Sequence, residues 1–238
     1  MITRSQIKFI KSLSLKKNRY LHKCFIVEGE KNILELINSE YEILHLYLTE
    51  AIDINTGSLQ VNFISKNELA RISCLTSPNK ALAVVKIPAL KDLSTGSVLV
   101  LDSISDPGNL GTIIRLCDWF GVKKVVCSED TVDVYNPKVV QASMGSIFRL
   151  DVLYSDLEKY LKEVEGPVFG SFINGEDIKK LNIPSSDFHL ILGNESSGIS
   201  KKIEKLITNR ISITNKGSRA ESLNVATAAA ILLYEFCN

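Results

Sequence analysis

Three polar stretches carry the side chains of this sequence that are equipped for chemistry. They are Asp106-Pro107-Gly108-Asn109-Leu110-Gly111, which leads to Arg115; Gly193-Asn194-Glu195-Ser196-Ser197-Gly198; and Asn215 to Asn224, which runs into the small-residue segment Val225 to Ala230. Each follows a short apolar run that reads as a strand, and in open α/β sheets ligands collect at the carboxyl ends of strands. The three stretches therefore imply one composite site. Arg115 follows Asn109 by six positions, nearly two turns of helix, and sits among Ile113, Ile114 and Leu116. A guanidinium in apolar company needs a partner, which a local carboxylate or a phosphate ligand would supply equally well. Asn109 is suited to cap that helix. Glu195 falls at a strand exit where backbone N–H groups converge, a position that capping alone would explain. Ser222 and Asn224 are both candidate caps for the last helix, whose alanines suit a tightly buried element or a subunit interface.

Several common chemistries lack their residues. Gly108-Asn109-Leu110-Gly111 is not the G-x-G-x-x-G of dinucleotide sites, and no glycine loop is followed by a phosphate-loop lysine. Cys24, Cys74, Cys117, Cys127 and Cys237 are scattered without a C-x-x-C pair, and His22, His45 and His189 are isolated. A metal centre, a disulfide framework and triad hydrolysis are therefore not expected. Cys117 and Cys127 read as small core hydrophobes. No apolar run approaches the roughly 18 to 20 residues of a membrane span, and the Lys-rich N-terminus lacks the apolar segment of a signal peptide. The expectation is a cytoplasmic protein with no membrane partner.

The formal net charge is only +1, but it is unevenly spread. Arg4, Lys8, Lys11, Lys16, Lys17, Arg19 and Lys23 precede Glu28 with no acid among them. Such a segment gains from counterion release when it meets phosphates, although for any single lysine a solvated helix face is the plainer account. Tyr20, His22 and Phe25, interleaved with these residues, are suited to stack on unpaired bases, which points to RNA.

The elements that must position these groups follow an α/β pattern. Residues 1–88 read as a small α/β domain. Thr3 caps a helix over Ser5 to Ser14, Phe25-Ile26-Val27 is extended, and Glu30 to Ile37 is helical. Ile43 to Leu48, Val61 to Ile64 and Ala81 to Ile87 are strands, with a helical turn at Asn67 to Ile72. Residues 89–96 have linker composition. Residues 97–238 alternate strand and helix, as in a parallel sheet buried on both faces. The strands fall at Val98 to Leu101, Val125 to Cys127, Phe148 to Leu153, Val168 to Phe172, Leu190 to Leu192 and Ile211 to Ile213. Helices are expected after Asn109 up to Gly121, from Pro137 to Met144, around Leu157 to Leu161, and from Ser222 onward.

Together these stretches resemble the three signatures of the SpoU (TrmH) family of RNA ribose 2′-O-methyltransferases, within the knotted SPOUT superfamily. The first is Asp106 to Arg115, the second Leu190 to Gly198 and the third Ala220 to Val225; Asn136 to Gly145 resembles the segment the family carries between the first two. The resemblance covers about residues 98 to 236, and more loosely residues 1–88 resemble the ribosomal-protein-like RNA-binding domain of many members. It implies a C-terminal trefoil knot, against the usual rule for chain connections. It implies S-adenosylmethionine as methyl donor, with adenosine contacts around Ser171, Leu192, Gly193, Ile213 and Leu223, and with Ser222 and Asn224 shaping the loop. It also implies a homodimer acting on RNA, most simply ribosomal RNA, with Arg115, Asn109, Glu195 and Asn224 as the catalytic set. Thr214-Asn215 departs from the family's Pro-Met at that place, which blurs the assignment near Ile213. The family account often makes the arginine a general base. A guanidinium with a pKa above about 12 keeps its proton, so the expected role of Arg115 is to bind the adjacent phosphate and steady a developing oxyanion. Two other readings stay open: a non-catalytic RNA-binding or ribosome-assembly protein with the same fold, and a transfer RNA 2′-O-methyltransferase.

Overall fold

The computed structural model describes residues 1–51, 59–89, 96–181, 183, 187–217 and 219–237. They divide into two compact units, residues 1–89 with 133–149, and residues 90–132 with 150–238. Most of the expected linker, 90–95, lies outside the described residues.

In the first unit, Thr3 starts α1 (Arg4–Ser12) with a reciprocal capping box: its hydroxyl accepts from the Gln6 N–H and its own N–H donates to the Gln6 side chain. Helix α2 (Lys16–His22) was not expected, because its sequence has no apolar repeat; it ends at Lys23 in the left-handed region, φ +52°. There follow β1 (Cys24–Glu28), α3 (Glu30–Ile37), β2 (Ile43–Leu48), β3 (Val61–Phe63), α4 (Lys66–Ile72) and β4 (Ala81–Lys86). The sheet order is β1-β4-β2-β3, antiparallel except for the β2/β3 pair. Ile10 and Leu13 from the α1 stripe pack with Ile26, Leu69, Ile72 and Val84 in a buried core.

The second unit begins with β5 (Val98–Asp102), α5 (Pro107–Trp119) and β6 (Lys124–Ser128). The chain then returns to the first unit for α6 (Pro137–Ser143) and a 3-10 turn at Ser146–Phe148. It resumes with β7 (Asp151–Ser155), α7 (Leu157–Lys162), β8 (Val168–Asp177), β9 (His189–Gly193), α8 (Lys201–Glu204), β10 (Asn209–Ser212) and α9 (Val225–Phe236). All six strands are parallel, in the order β10-β8-β9-β5-β6-β7. Every residue of β5 is buried, as a two-faced parallel strand requires. Val100, Val126, Leu161, Ile191 and Ile203 are among its core.

One expectation is corrected here. Phe148 is not extended but closes the 3-10 turn, and the strand starts at Asp151. The segment 133–149 packs with the first unit. The Arg19 guanidinium is buried and donates from Nε to Asp133 Oδ2 at 2.8 Å and from Nη1 to the carbonyls of Leu13 and Ser14, each at 2.9 Å. The Tyr135 ring stacks on Phe25 at 4.6 Å, and Tyr41 donates to the Ile147 carbonyl at 3.3 Å. Gly145, at φ +91°, leaves no room for a side chain, since a Cβ there would lie 2.5 Å from Glu35 Cγ.

Candidate active site

Strand β5 is the switch point of the second sheet: the chain proceeds from it through β6 to β7 on one side, then resumes at β8 and β9 on the other. The crevice of such a sheet opens at the carboxyl ends flanking that point. Asp102 and Gly193 are register partners at these ends of β5 and β9, and the loops that follow them carry the first two stretches.

Asp106, not Asn109, caps α5. Its carboxylate accepts the Asn109 N–H at 2.8 Å and Pro107 takes the first helical position, so the helix starts three residues earlier than expected. Asn109 is thereby in the first turn with its carboxamide free for tertiary bonds. Its Nδ2 donates to Glu195 Oε1 at 2.9 Å, and its Oδ1 accepts from Asn224 Nδ2 at 3.0 Å. Three of the four expected catalytic residues thus form one hydrogen-bonded line. Asn224 is also the cap of α9, settling the choice against Ser222: its Oδ1 accepts the N–H groups of Ala226 at 2.9 Å and Thr227 at 3.3 Å.

Glu195 is held by side chains rather than by converging backbone N–H groups. Ser105 Oγ and Asn194 Nδ2 each lie 3.4 Å from its Oε2. The backbone donors go instead to Asn194, whose Oδ1 accepts from the N–H groups of Ser196 at 3.0 Å and Ser197 at 3.1 Å. Asn194 Nδ2 also donates to the Ser103 carbonyl at 2.7 Å, pinning this loop to the one after β5. The sequence reading missed Asn194 and Ser105; an Asn followed by two serines is a side-chain turn signal that would have found the first. Gly193 is required by close approach, since a Cβ would sit 2.2 Å from the backbone of Gly198 and Ile199.

Arg115 is exposed and makes no hydrogen bond or ion pair with a described residue. Six residues advance a helix by about 600°, roughly a third of a turn short of two turns, and by about 9 Å. Arg115 therefore shares its exposed stripe with Thr112 and Trp119 rather than with Asn109.

Of the residues expected around the cofactor, Leu192, Gly193 and Ile213 lie at the carboxyl ends of β9 and β10. Pairing of β8 with β9 stops at Gly170, and its pairing with β10 jumps from Gly170 to Glu176, so Ser171 to Gly175 have no ladder partner. Leu192 is buried at the end of β9 beside Gly193. Ile213 follows the last residue of β10, and Ser222 and Leu223 lie exposed in the irregular loop that delivers Asn224. The buried thiols of Cys117 and Cys127 have their pKa pushed up by burial, as core hydrophobes should. No metal-binding cluster of His, Cys, Asp or Glu occurs among the described residues.

In the first unit, Arg4, Lys8, Lys11, Lys16, Lys17 and Lys23 are exposed, and Arg4, Lys8 and Lys11 lie on one stripe of α1. Arg19 does not belong with them, being 2% exposed and committed to Asp133. Phe25 is likewise fully buried and is removed from the stacking candidates. Tyr20 is half exposed, with its hydroxyl 3.0 Å from Asp133 Oδ1; burial and that carboxylate raise its pKa.

Residues 96–234 match the SpoU rRNA methylase family, and residues 4–83 match the MRM3-like substrate binding domain. The chain is 32% identical over 238 residues to the 23S rRNA (guanosine(2553)-2′-O)-methyltransferase RlmP of Bacillus subtilis, covering 96% of this chain and 94% of that one. A solved protein described as an RNA methyltransferase of the TrmH family, from Porphyromonas gingivalis, is 36% identical with a TM-score of 0.89, covering 99% of this chain and 98% of that one. An AdoMet-bound rRNA methyltransferase from Sinorhizobium meliloti is 25% identical with a TM-score of 0.85, covering 99% and 95%. No helix among the described residues is long and apolar enough to cross a membrane. On these matches, with the three signature loops converging as described, the chain belongs to the SpoU rRNA methylase family of RNA ribose 2′-O-methyltransferases.

Proposed function

We propose that this chain transfers the methyl group of S-adenosylmethionine to a ribose 2′-hydroxyl of ribosomal RNA. The observation that carries the site assignment is the hydrogen-bonded line Asn224, Asn109, Glu195, drawn from three separate loops at the switch point of the sheet. The cofactor suits the neighbouring residues. The main-chain groups of Ser171 to Asn174, left without ladder partners, and those of Ile213 just past the end of β10 support contacts with an adenosine there. S-adenosylmethionine, when bound, supplies an electrophilic methyl group. The ribose oxygen forms the new bond to carbon as the carbon–sulfur bond breaks, and the hydroxyl proton passes to water.

The enzyme's own part is alignment and charge stabilisation. Arg115, with a permanent charge and no partner among the described residues, binds the phosphate next to the ribose and steadies the oxyanion as it forms. Asn109, fixed from both sides, orients the ribose, while Glu195 and Asn224 hold Asn109. The exposed basic stripe of α1, with Lys16, Lys17 and Lys23, holds the RNA, and residues 1–88 serve as the recognition domain. Threading of the C-terminal chain into a trefoil knot belongs to the same proposal; the placement of α9 against α5 and β9 after β10 has formed the sheet edge supports it. A homodimer is supported by Trp119 and Tyr234, 84% and 59% exposed on the two packed helices α5 and α9. The five cysteines are all free thiols, consistent with work in the cytoplasm.

The test is methyl transfer by the whole chain from radiolabelled S-adenosylmethionine to large-subunit rRNA transcribed without modification. Label in RNA that resists alkaline cleavage at one site is expected. RNA left unlabelled while S-adenosylmethionine binds would sink the assignment.

A further inference from the structure

A cavity of about 340 Å³ opens at the carboxyl ends of β5, β6 and β7 in the second unit. Its wall includes Asp102, Ser103, Ser128, Glu129, Asp130 and Lys202. It adjoins the methylation site through Ser103, whose carbonyl takes the Asn194 bond beneath Glu195.

Most of the wall is already committed. Asp102 Oδ2 accepts the Ser200 N–H at 2.8 Å, and Asp130 accepts from Ser103 Oγ at 2.6 Å, a bond that helps hold its carboxyl below the usual range. Ser128 Oγ accepts the Ser103 N–H at 2.8 Å. Glu129 and Lys202 differ: both are exposed, and neither makes a hydrogen bond or ion pair with a described residue, the Lys202 charge acting on Asp130 only from a distance. The hydroxyl of Ser200, another wall residue, is buried with no hydrogen-bond partner among the described residues. A native protein rarely leaves such a group unsatisfied unless something else meets it.

We propose that this cavity receives the base of the nucleotide whose ribose is methylated, and that Glu129 and Lys202 read that base as guanine. The proposal rests on the methyltransferase reading of the adjoining site. The volume lies at the lower end of the roughly 300–1,000 Å³ typical of small-molecule pockets. The carboxylates of Asp102, Glu129, Asp130 and Asp156 outnumber the single ammonium of Lys202, so a phosphate is repelled and a neutral base is admitted. RNA bases are read in this way when splayed out of the strand, by bonds to their Watson–Crick edges.

The edge that fits is acceptor, donor, donor. Guanine presents its O6 oxygen beside the N1 and N2 hydrogens; one carboxylate accepts both hydrogens and an ammonium meets the oxygen. Adenine and cytosine place a ring-nitrogen acceptor where guanine has its N1 hydrogen, against the Glu129 charge. Uracil offers one hydrogen between two carbonyls, so its second oxygen would face the carboxylate. An unpaired acceptor held against a charged oxygen forfeits the bond and the hydration it had in water.

The first experiment methylates the unmodified large-subunit rRNA with the whole chain, digests the product to nucleosides and identifies each 2′-O-methylnucleoside by mass spectrometry. 2′-O-methylguanosine is expected. A methylated adenosine, cytidine or uridine in its place overturns the base assignment while leaving methyl transfer intact. The absence of any methylated nucleoside overturns the underlying reading and the proposal with it. The cavity itself is tested with Glu129→Gln and Lys202→Met on the same RNA, alongside S-adenosylmethionine affinity and melting temperature. A fall of about ten- to a hundredfold in kcat/KM is expected with both controls unchanged. Inosine at the target, which lacks the N2 amino group, should slow the wild type and not slow Glu129→Gln further. Wild-type kcat/KM in both variants, or wild-type indifference to inosine, overturns the proposal.

Discussion

Asn224 donates to Asn109 at 3.0 Å across 115 residues of sequence, while its own oxygen accepts two N–H groups of the first turn of α9. One side chain thus ends the third loop, starts the last helix and braces the residue bonded to Glu195. Asn224→Asp keeps the acceptor and loses the donor, so it should melt near the wild-type temperature yet lose most methyl transfer. Asn224→Ala loses both functions and should cost a further ~1 kcal/mol in denaturant unfolding. Full activity in the Asp variant would remove Asn224 from the catalytic arrangement.

Arg115→Ala should abolish methyl transfer and leave S-adenosylmethionine affinity by calorimetry unchanged, because the guanidinium bonds to no described residue. Arg115→Lys should recover little. An ammonium keeps the charge but not the forked geometry that meets two phosphate oxygens. Equal loss of cofactor binding and transfer would refute this division of labour.

The basic N-terminal segment contains two kinds of cation, and they should respond oppositely. Lys8→Glu with Lys11→Glu should weaken RNA binding and flatten its dependence on salt, by about one unit of logarithmic slope for each phosphate that is no longer neutralised, without changing the melting temperature. Arg19→Met should leave the salt slope alone and destabilise the fold by about 3–5 kcal/mol, since it strands the buried Asp133 carboxylate. Deleting residues 1–23 outright would mix the two effects.

His189 makes folding stability depend on pH. Burial depresses its pKa below the ordinary 6.5, Lys124 adds to the effect and Asp187 opposes it. Its Nε2 meets the Tyr160 hydroxyl at 3.0 Å while Nδ1 is buried without a partner among the described residues. Below pH 6.5 the unfolded chain takes up a proton that the folded ring resists. Its contribution is therefore complete above that value and is lost as pH falls through the window below it. Urea unfolding of His189→Gln between about pH 7 and pH 5 should show a shallower decline than the wild type.

Trp119→Glu tests the dimer. The substitution adds a charge to a fully solvated ring if the chain is a monomer, and to an apolar contact if it is not. Sedimentation should show wild-type dimers and mutant monomers, with activity falling alongside.

Local chemistry was legible where partners are close in sequence. Thr3 at the cap of α1, Pro137 at the head of α6, and the unbroken apolar run of β5 each announce their element within a few residues. The convergence of Asn109, Glu195 and Asn224 was legible only through the three loops they share with a known family, because no local rule links residues 86 and 115 positions apart. Arg19 shows the opposite failure. It reads as one more exposed cation of a basic segment, and its burial depends on Asp133, 114 residues downstream. The α5 cap was misread because Asp106 and Asn109 are both good caps, and Pro107 decides between them. Helix α2 carries no apolar stripe to reveal it.

The polypeptide passes between its two units three times, at 89/90, 132/133 and 149/150. Recombination at 89/90 or 132/133 would separate Asp133 to Arg149 from the β1 and Arg19 surroundings they are built into, and recombination at 149/150 would split β5 and β6 from the rest of their own sheet. A front half of this kind cannot be traded like a cassette, and lineages sharing the architecture must change their targets by substitution in place.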